Sequence, residues 1–356
     1  MRYPALIVDK EKVLNNARAV AELCRSRGID VWGVAKGLSG DPRLAEIYAD
    51  AGFRGICDSR LHNLRKIKDS GSSLPRQLIR IAMTSELREL AVTAEMSLQS
   101  DIGTIKELDR ICVSSGVSHE VLMMIDVGDL REGFWPTELP EAARELKDLK
   151  GGVKIGGVAA NFACACGVLP TPGNMARLVE CRDVIAGIVG CEMPTVSVGG
   201  TCCLKIIEDG LAPEGVNVLR ICEGVLLGTD TAFDRVVPYL AGDALTVTAE
   251  VVECRQKPSM PVGEVGYQAF GEKPVFIDRG LRKRAILAIG RQDVNIDRIT
   301  PLDENVEIVT ASSDHLIVDV TNAGVMYKAG DLMSFRPRYP AMLACATSEY
   351  VEVIFE

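Results

Sequence analysis

Val31-Trp32-Gly33-Val34-Ala35-Lys36-Gly37 is a short apolar strand pattern that runs directly into a lysine, and its reading decides between two alternating α/β folds. An open doubly wound sheet would carry a glycine-rich G-x-G-x-x-G turn after its first strand, and this segment carries none. Upstream, a helical pattern covers 10–27 and Gly28 stops it. Downstream, β-rich runs at 55–57, 78–82, 96–98, 121–127, 153–160, 195–198 and 218–221 follow one another. Helical-period segments at 42–51, 59–70, 85–94, 101–114, 139–149 and 174–189 lie between them. Together with 31–34 these runs make eight strands, the number that closes a parallel (β/α)8 barrel.

Beyond Asp234 the texture changes to alternating or β-branched runs at 245–252, 285–289, 306–309, 316–320 and 350–355, with no helical stretch of comparable length. The expectation is an N-terminal barrel over 1–235 and a C-terminal all-β domain over 236–356. Residues 1–10 would add a strand to the barrel or pair with the β domain. A composition of 47% hydrophobic and 25% charged residues excludes a disordered or collagen-like chain. The net charge of −9 argues against nucleic acid or an anionic membrane as partner, so any bound phosphate has to be held locally. No apolar run reaches membrane-spanning length and the first ten residues carry no signal-peptide pattern, which predicts a cytoplasmic protein. The 12 cysteines are scattered without a C-x-x-C pair and read as small thiols in a reducing compartment. His62, His119 and His315 have no second ligand at metal-binding spacing, so no metal site is expected.

In barrels the working residues lie at the C-terminal ends of the strands. Here those ends carry Lys36, Asp58, Met83, Gln99, Asp126 with Asp129 and Arg131, Asn161, Gly199-Gly200-Thr201, and Arg220 with Cys222-Glu223. Lys36 follows an apolar strand between Ala35 and Gly37, where desolvation would lower its pKa and favour imine chemistry; the plainer alternative is a lysine starting a solvated loop. Gly199-Gly200-Thr201 follows the seventh strand, a place where barrels bind phosphate through backbone N–H groups and a hydroxyl. Arg220 interrupts the apolar run Val218-Leu219-Arg220-Ile221 and needs an acceptor inside the barrel, with Glu223 or another rim carboxylate as the plain choice. A lysine for an aldehyde, a loop for a phosphate and a cation for a ring together describe pyridoxal 5′-phosphate.

These residues resemble the alanine racemase family over nearly the whole chain, most closely its ornithine racemase-like amino-acid racemases. Val34-Ala35-Lys36-Gly37 is similar to the segment that bears the cofactor lysine. Asp126-Val127-Gly128-Asp129-Leu130-Arg131-Glu132-Gly133 is similar to the stretch whose arginine touches the cofactor and the substrate carboxylate, which implies that role for Arg131. Val218-Leu219-Arg220-Ile221-Cys222-Glu223-Gly224 resembles the segment that sets an arginine on the ring nitrogen and backbone N–H groups on the phosphate. Tyr339, opening Tyr339-Pro340-Ala341-Met342-Leu343, matches a tyrosine that contacts the phosphate.

Two departures stand out. The family's ring-stacking histidine is Asn161 here, and its Gly-Tyr-Ala-Asp-Gly motif reads Gly290-Arg291-Gln292-Asp293-Val294, without the tyrosine that serves as second base. The resemblance implies a homodimer with shared sites, so the second base would come from the partner's β domain. Ser312-Ser313-Asp314-His315 offers His315 for it, with Asp314 and Tyr267 as the next choices, and Ser313 and Asp314 as substrate contacts. The implied activity is interconversion of L and D amino acids, a basic one such as ornithine first, with lysine or alanine also open. Asp126, Asp129, Glu223 and Asp314 are candidate partners for a terminal ammonium. A decarboxylase or aldolase of the same fold, and a non-enzymatic carrier of the cofactor, are the alternatives.

Overall fold

The computed structural model describes residues 2–268, 270, 271 and 273–356. The chain divides into two compact units, one formed by 11–242 and the other by 1–10 with 243–356.

The first unit is the closed parallel barrel that the alternation of strands and helices predicts. Numbering in chain order starts with β1 (Ala5–Val8), which belongs to the other unit, and α1 (Lys10–Arg25). The barrel strands are β2 (Asp30–Val34), β3 (Gly55–Asp58), β4 (Arg76–Leu78), β5 (Met96–Gln99), β6 (His119–Met124), β7 (Val153–Asn161), β8 (Thr195–Gly199) and β9 (Val218–Ile221). Each pairs in parallel with the next, and β9 returns to β2 with Arg220 beside Trp32. The crossover helices are α2 (Pro42–Asp50), α3 (Leu61–Asp69), α4 (Leu87–Thr93), α5 (Ile102–Ser115), α6 (Leu139–Glu145), α7 (Pro172–Val189), α8 (Cys203–Glu208) and α9 (Glu223–Leu227).

Local chemistry explains where the helices begin. Asp41 accepts from the N–H of Arg43 ahead of Pro42, Asp101 accepts from Thr104, and Thr171 exchanges hydrogen bonds with Asn174 around Pro172. Two strands start earlier than their apolar runs suggest, because their first residues are polar and paired. Instead of 78–82, β4 covers Arg76–Leu78, with buried Gln77 accepting from the Cys57 thiol. In β6 the strand begins at His119, whose buried ring meets Ser97 Oγ at 2.9 Å. Both are buried polar side chains held by a neighbouring strand, although Nδ1 of His119 has no hydrogen-bond partner among the described residues.

A short hairpin, β10 (Thr229–Asp230) with β11 (Arg235–Val236), closes the first unit. The second unit contains β12 (Leu245–Pro258), β13 (Leu281–Leu287), β14 (Ile299–Pro301), β15 (Glu307–Ala311), β16 (Leu316–Asp319), β17 (Leu332–Pro337), α10 (Tyr339–Thr347) and β18 (Glu352–Phe355). Its sheet runs β14-β17-β12-β13-β16-β15, and β1 adds to it, antiparallel to β12 and parallel to β18. The expected all-β texture therefore needs one correction. Tyr339 opens a nine-residue helix, which Pro340 starts and the run of Ala and other small residues sustains. No helix among the described residues is long and apolar enough to cross a membrane.

Candidate active site

Because all eight barrel strands run the same way, their C-terminal ends gather at one mouth. Lys36 lies two residues past β2, as the first residue of a single 3₁₀ turn ending at Leu38. It is half-buried, not sealed among apolar neighbours as the sequence suggests. Asp58, the last residue of β3, is fully buried beside it. Its Oδ1 accepts from the N–H of Arg60 at 2.9 Å and from Asn63 Nδ2 at 3.0 Å, whereas Oδ2 has no partner. Burial pushes this carboxyl up to about 6, against the pull of its hydrogen bonds and of Lys36. The N–H of Gly37 meets the Cys222 thiol, so the turn after β2 touches the end of β9.

The loop after β6 holds the second group of residues. Asp126 accepts from the N–H groups of Gly128 and Leu130 and folds the loop onto itself. Asp129 reaches across to the loop after β7, where its carboxylate takes the N–H groups of Cys164, Ala165, Cys166 and Val168 at 2.8–3.2 Å. Burial raises this carboxyl, but the four donors outweigh it and hold Asp129 below the usual range. Arg131 pairs through Nε and Nη2 with both oxygens of Glu132. That hydrogen-bonded partner raises its already high pKa, so Arg131 stays charged.

Asn161 ends β7 and stands between two arginines. Its Nδ2 donates to Glu132 Oε1 and its Oδ1 accepts from Arg220 Nη2, both at 2.9 Å. Arg220 also bonds Ser197 Oγ and, at 2.9 Å, the carbonyl of Ala160. Glu223, the plain choice of counter-charge in the sequence, is not its partner: it accepts instead from Thr229 and Thr231. Burial lowers the pKa of Arg220 from the ordinary guanidinium value.

The loops after β8 and β9 are tied together. Gly200 donates to the Arg220 carbonyl at 3.1 Å, and Gly224 donates to Thr201 Oγ1 at 3.0 Å. A Cβ on Gly199 would come within 2.4 Å of Arg220 Nη2 and 2.5 Å of Asn161 Oδ1, so only glycine lets the strand end approach these side chains. Gly200 follows with φ +109°. Burial pushes the Cys222 thiol up to about 12, which leaves it an unionised wall residue, and Cys202 and Cys203 are buried nearby in sequence.

The barrel thus brings together Lys36, Arg131, Asn161, Gly199, Gly200, Thr201, Arg220, Cys222 and Glu223 from the ends of different strands. These residues fit pyridoxal 5′-phosphate: a half-buried lysine, a glycine turn with a hydroxyl, a buried arginine and an unpartnered carboxylate oxygen surround one mouth. Glu132 and Asp58 carry interactions the sequence reading did not assign. The only signal for Glu132 was its place next to Arg131.

In the second unit, Ser313, Asp314 and His315 lie in an exposed turn between β15 and β16. The turn packs on the segment where the family tyrosine is absent. Arg291 and Gln292 donate to the carbonyls of Ser312 and Ser313 at 2.9 and 3.2 Å, and a Cβ on Gly290 would meet the Ser313 oxygen at 2.0 Å. Asp314 accepts from Gln292 and from Ser313. Tyr339 is half-buried at the start of α10.

A parallel eight-stranded barrel joined to a sheet unit is a fold that this chain shares with solved alanine racemases. That of Clostridium difficile 630 superposes with a TM-score of 0.76 at 15% identity, covering 99% of this chain and 95% of that one. The family model for the alanine racemase N-terminal domain matches residues 8–217, and this chain belongs to that family. Two relatives match over essentially their full length. An ornithine racemase of Acetoanaerobium sticklandii is 37% identical over 98% of this chain and 99% of its own, and a lysine racemase of Thermotoga maritima is 38% identical over 100% and 99%.

Proposed function

We propose that this chain is a pyridoxal 5′-phosphate-dependent amino-acid racemase acting on basic amino acids, ornithine or lysine, as a cytoplasmic homodimer. The observation that carries the reading is the 37–38% identity, end to end, with relatives named for those two substrates. The acidic rim does not carry it. Asp126, Asp129, Glu223 and Asp314 are each engaged by neighbouring donors in this chain.

Bound pyridoxal 5′-phosphate supplies an electron sink that acidifies the Cα–H of an attached amino acid. Lys36 would hold the group through its aldehyde carbon until the substrate's amino group displaces it, and its freed amine would then take or return the Cα proton on one face. Gly199, Gly200 and Thr201, with the backbone of Cys222 and Glu223, would hold the phosphate, and Tyr339 of the second unit is the tyrosine that the family resemblance assigns to it. Arg220 and Asn161 would hold the ring. A guanidinium keeps its protons, so Arg220 leaves the ring nitrogen unprotonated, which favours simple proton exchange over decarboxylation. Arg131 binds the substrate carboxylate, with Ser313 and Asp314 as further contacts. Inversion requires an acid/base on the opposite face, assigned to His315 of the partner subunit.

The test is polarimetry of a panel of L-amino acids with the loaded protein, with carbon dioxide followed in parallel. Rotation of L-ornithine or L-lysine should decay to zero with no gas released. Release of carbon dioxide, or a panel that keeps its rotation, would refute the proposal.

A further inference from the structure

Arg220 is buried, and among the described residues no carboxylate stands at ion-pair distance from it. An isolated buried cation is costly, so its counter-charge has to arrive through other groups. The hydrogen bonds on the page give the route: Arg220 to Asn161 Oδ1, Asn161 Nδ2 to Glu132, and Glu132 to Arg131. Asn161 is an amide, with an acceptor for one neighbour and a donor for the other, so it transmits the polarity without carrying charge. Burial dominates the electrostatics of Arg220, and Glu132 is the last of the neighbours acting on it, after the Cys57, Cys203 and Cys164 thiols. On the other side, Glu132 takes Nε and Nη2 of Arg131, and among the described residues Nη1 has no hydrogen-bond partner.

We infer that Glu132 is a positioning residue that serves as common counter-charge for Arg131 and Arg220 and, through Asn161, fixes both guanidinium groups relative to each other. Its carboxylate holds the fork of Arg131 so that one edge alone is offered at the mouth. Because both oxygens of Glu132 are engaged by Arg131 and Asn161, its effect travels through these neighbours. The catalytic part of the inference rests on the racemase reading; the structural part does not.

Both parts are tested with Glu132→Gln, which keeps shape and an acceptor oxygen but removes the charge, and with Asn161→Ala, which cuts the connection from the other side. In the protein without added cofactor, side-chain Nε–H resonances of Arg131 and Arg220 are observed with 15N-labelled arginine and assigned through Arg131→Lys and Arg220→Lys. Glu132→Gln should move both resonances, and in the Asn161→Ala background it should move that of Arg131 alone. An Arg220 resonance that ignores Glu132→Gln, or responds equally without Asn161, would overturn the shared counter-charge whether or not the protein is a racemase. In the loaded enzyme, misplacing Arg131 should lower kcat by roughly 10- to 100-fold and, because Arg131 is also assigned to the substrate carboxylate, raise KM as well. A rise in KM with kcat unchanged would overturn the positioning role.

Discussion

The barrel mouth and the turn at 312–315 carry the two halves of the proposed chemistry, and they are built in opposite ways. At the mouth, side chains from different strands bond one another across long stretches of sequence: Asn161 joins Glu132 to Arg220, and Asp129 secures the loop after β7. In the turn, the backbone N–H groups of Asp314 and His315 donate to Ser312 Oγ, a few residues away, and both residues are exposed. The fold therefore fixes the mouth in advance, while the turn is held by one hairpin and by the 290–294 segment. Substitutions at the mouth should disturb stability and chemistry together; those in the turn should disturb chemistry alone.

The largest expected effect is at Lys36. Replacing it with alanine should lower racemisation by at least about 10³-fold, the scale on which a lost nucleophile and base acts, and remove the visible absorbance of the bound aldehyde. Activity within tenfold of the parent would break the assignment of the mouth.

Arg220→Met should come next. It strands Asn161 Oδ1 and the other acceptors in a buried site and leaves Glu132 with one arginine, which costs about 3 kcal/mol by calorimetry. An unchanged melting temperature would mean that the mouth is not held by this network.

His315→Gln is the complementary test in the turn. Exchange of the Cα hydrogen with deuterium should fall about 10²-fold for one enantiomer only, with no change in melting temperature. Equal loss for both enantiomers would remove the single-face role.

The smallest effect concerns Asp58. Its carboxyl is raised to about 6 from an ordinary 3.8, so the folded state favours the protonated form. That preference supports stability at low pH and is lost as the pH rises through 6. Asp58→Asn should therefore match the parent below pH 4 and exceed it above pH 6, by roughly 1–3 kcal/mol. A gain that is the same at both ends would show that the carboxyl does not titrate in this range.

The eight barrel strands were legible in the sequence because strands covered on both faces read as continuous apolar runs. Legibility failed where the barrel interior is polar. Gln77 and His119 hide strand ends that are buried and hydrogen-bonded to Cys57 and Ser97. In the second unit, β17 was missed because Ser334, Arg336 and a proline mask an alternation in which Met333, Phe335 and Pro337 are buried. Helix α10 was missed because a short apolar run does not distinguish helix from strand by periodicity. Lys36, Arg131 and Arg220 were legible as motif residues, yet their partners were not. Glu223 looked like the partner of Arg220 from its nearness in sequence, but it turns to Thr229 and Thr231, and the amide of Asn161 takes its place.

The account's central claim is that Lys36 exchanges the Cα proton of a basic amino acid with solvent and that a second group returns it to the other face. Loaded protein is incubated in heavy water separately with L-ornithine and D-ornithine, and each reaction is followed by chiral chromatography and mass spectrometry. The prediction is that each enantiomer gives the other, that the product carries one deuterium at Cα, and that Lys36→Ala abolishes both conversions. Product without deuterium, or ornithine that keeps its configuration in both reactions, would contradict it.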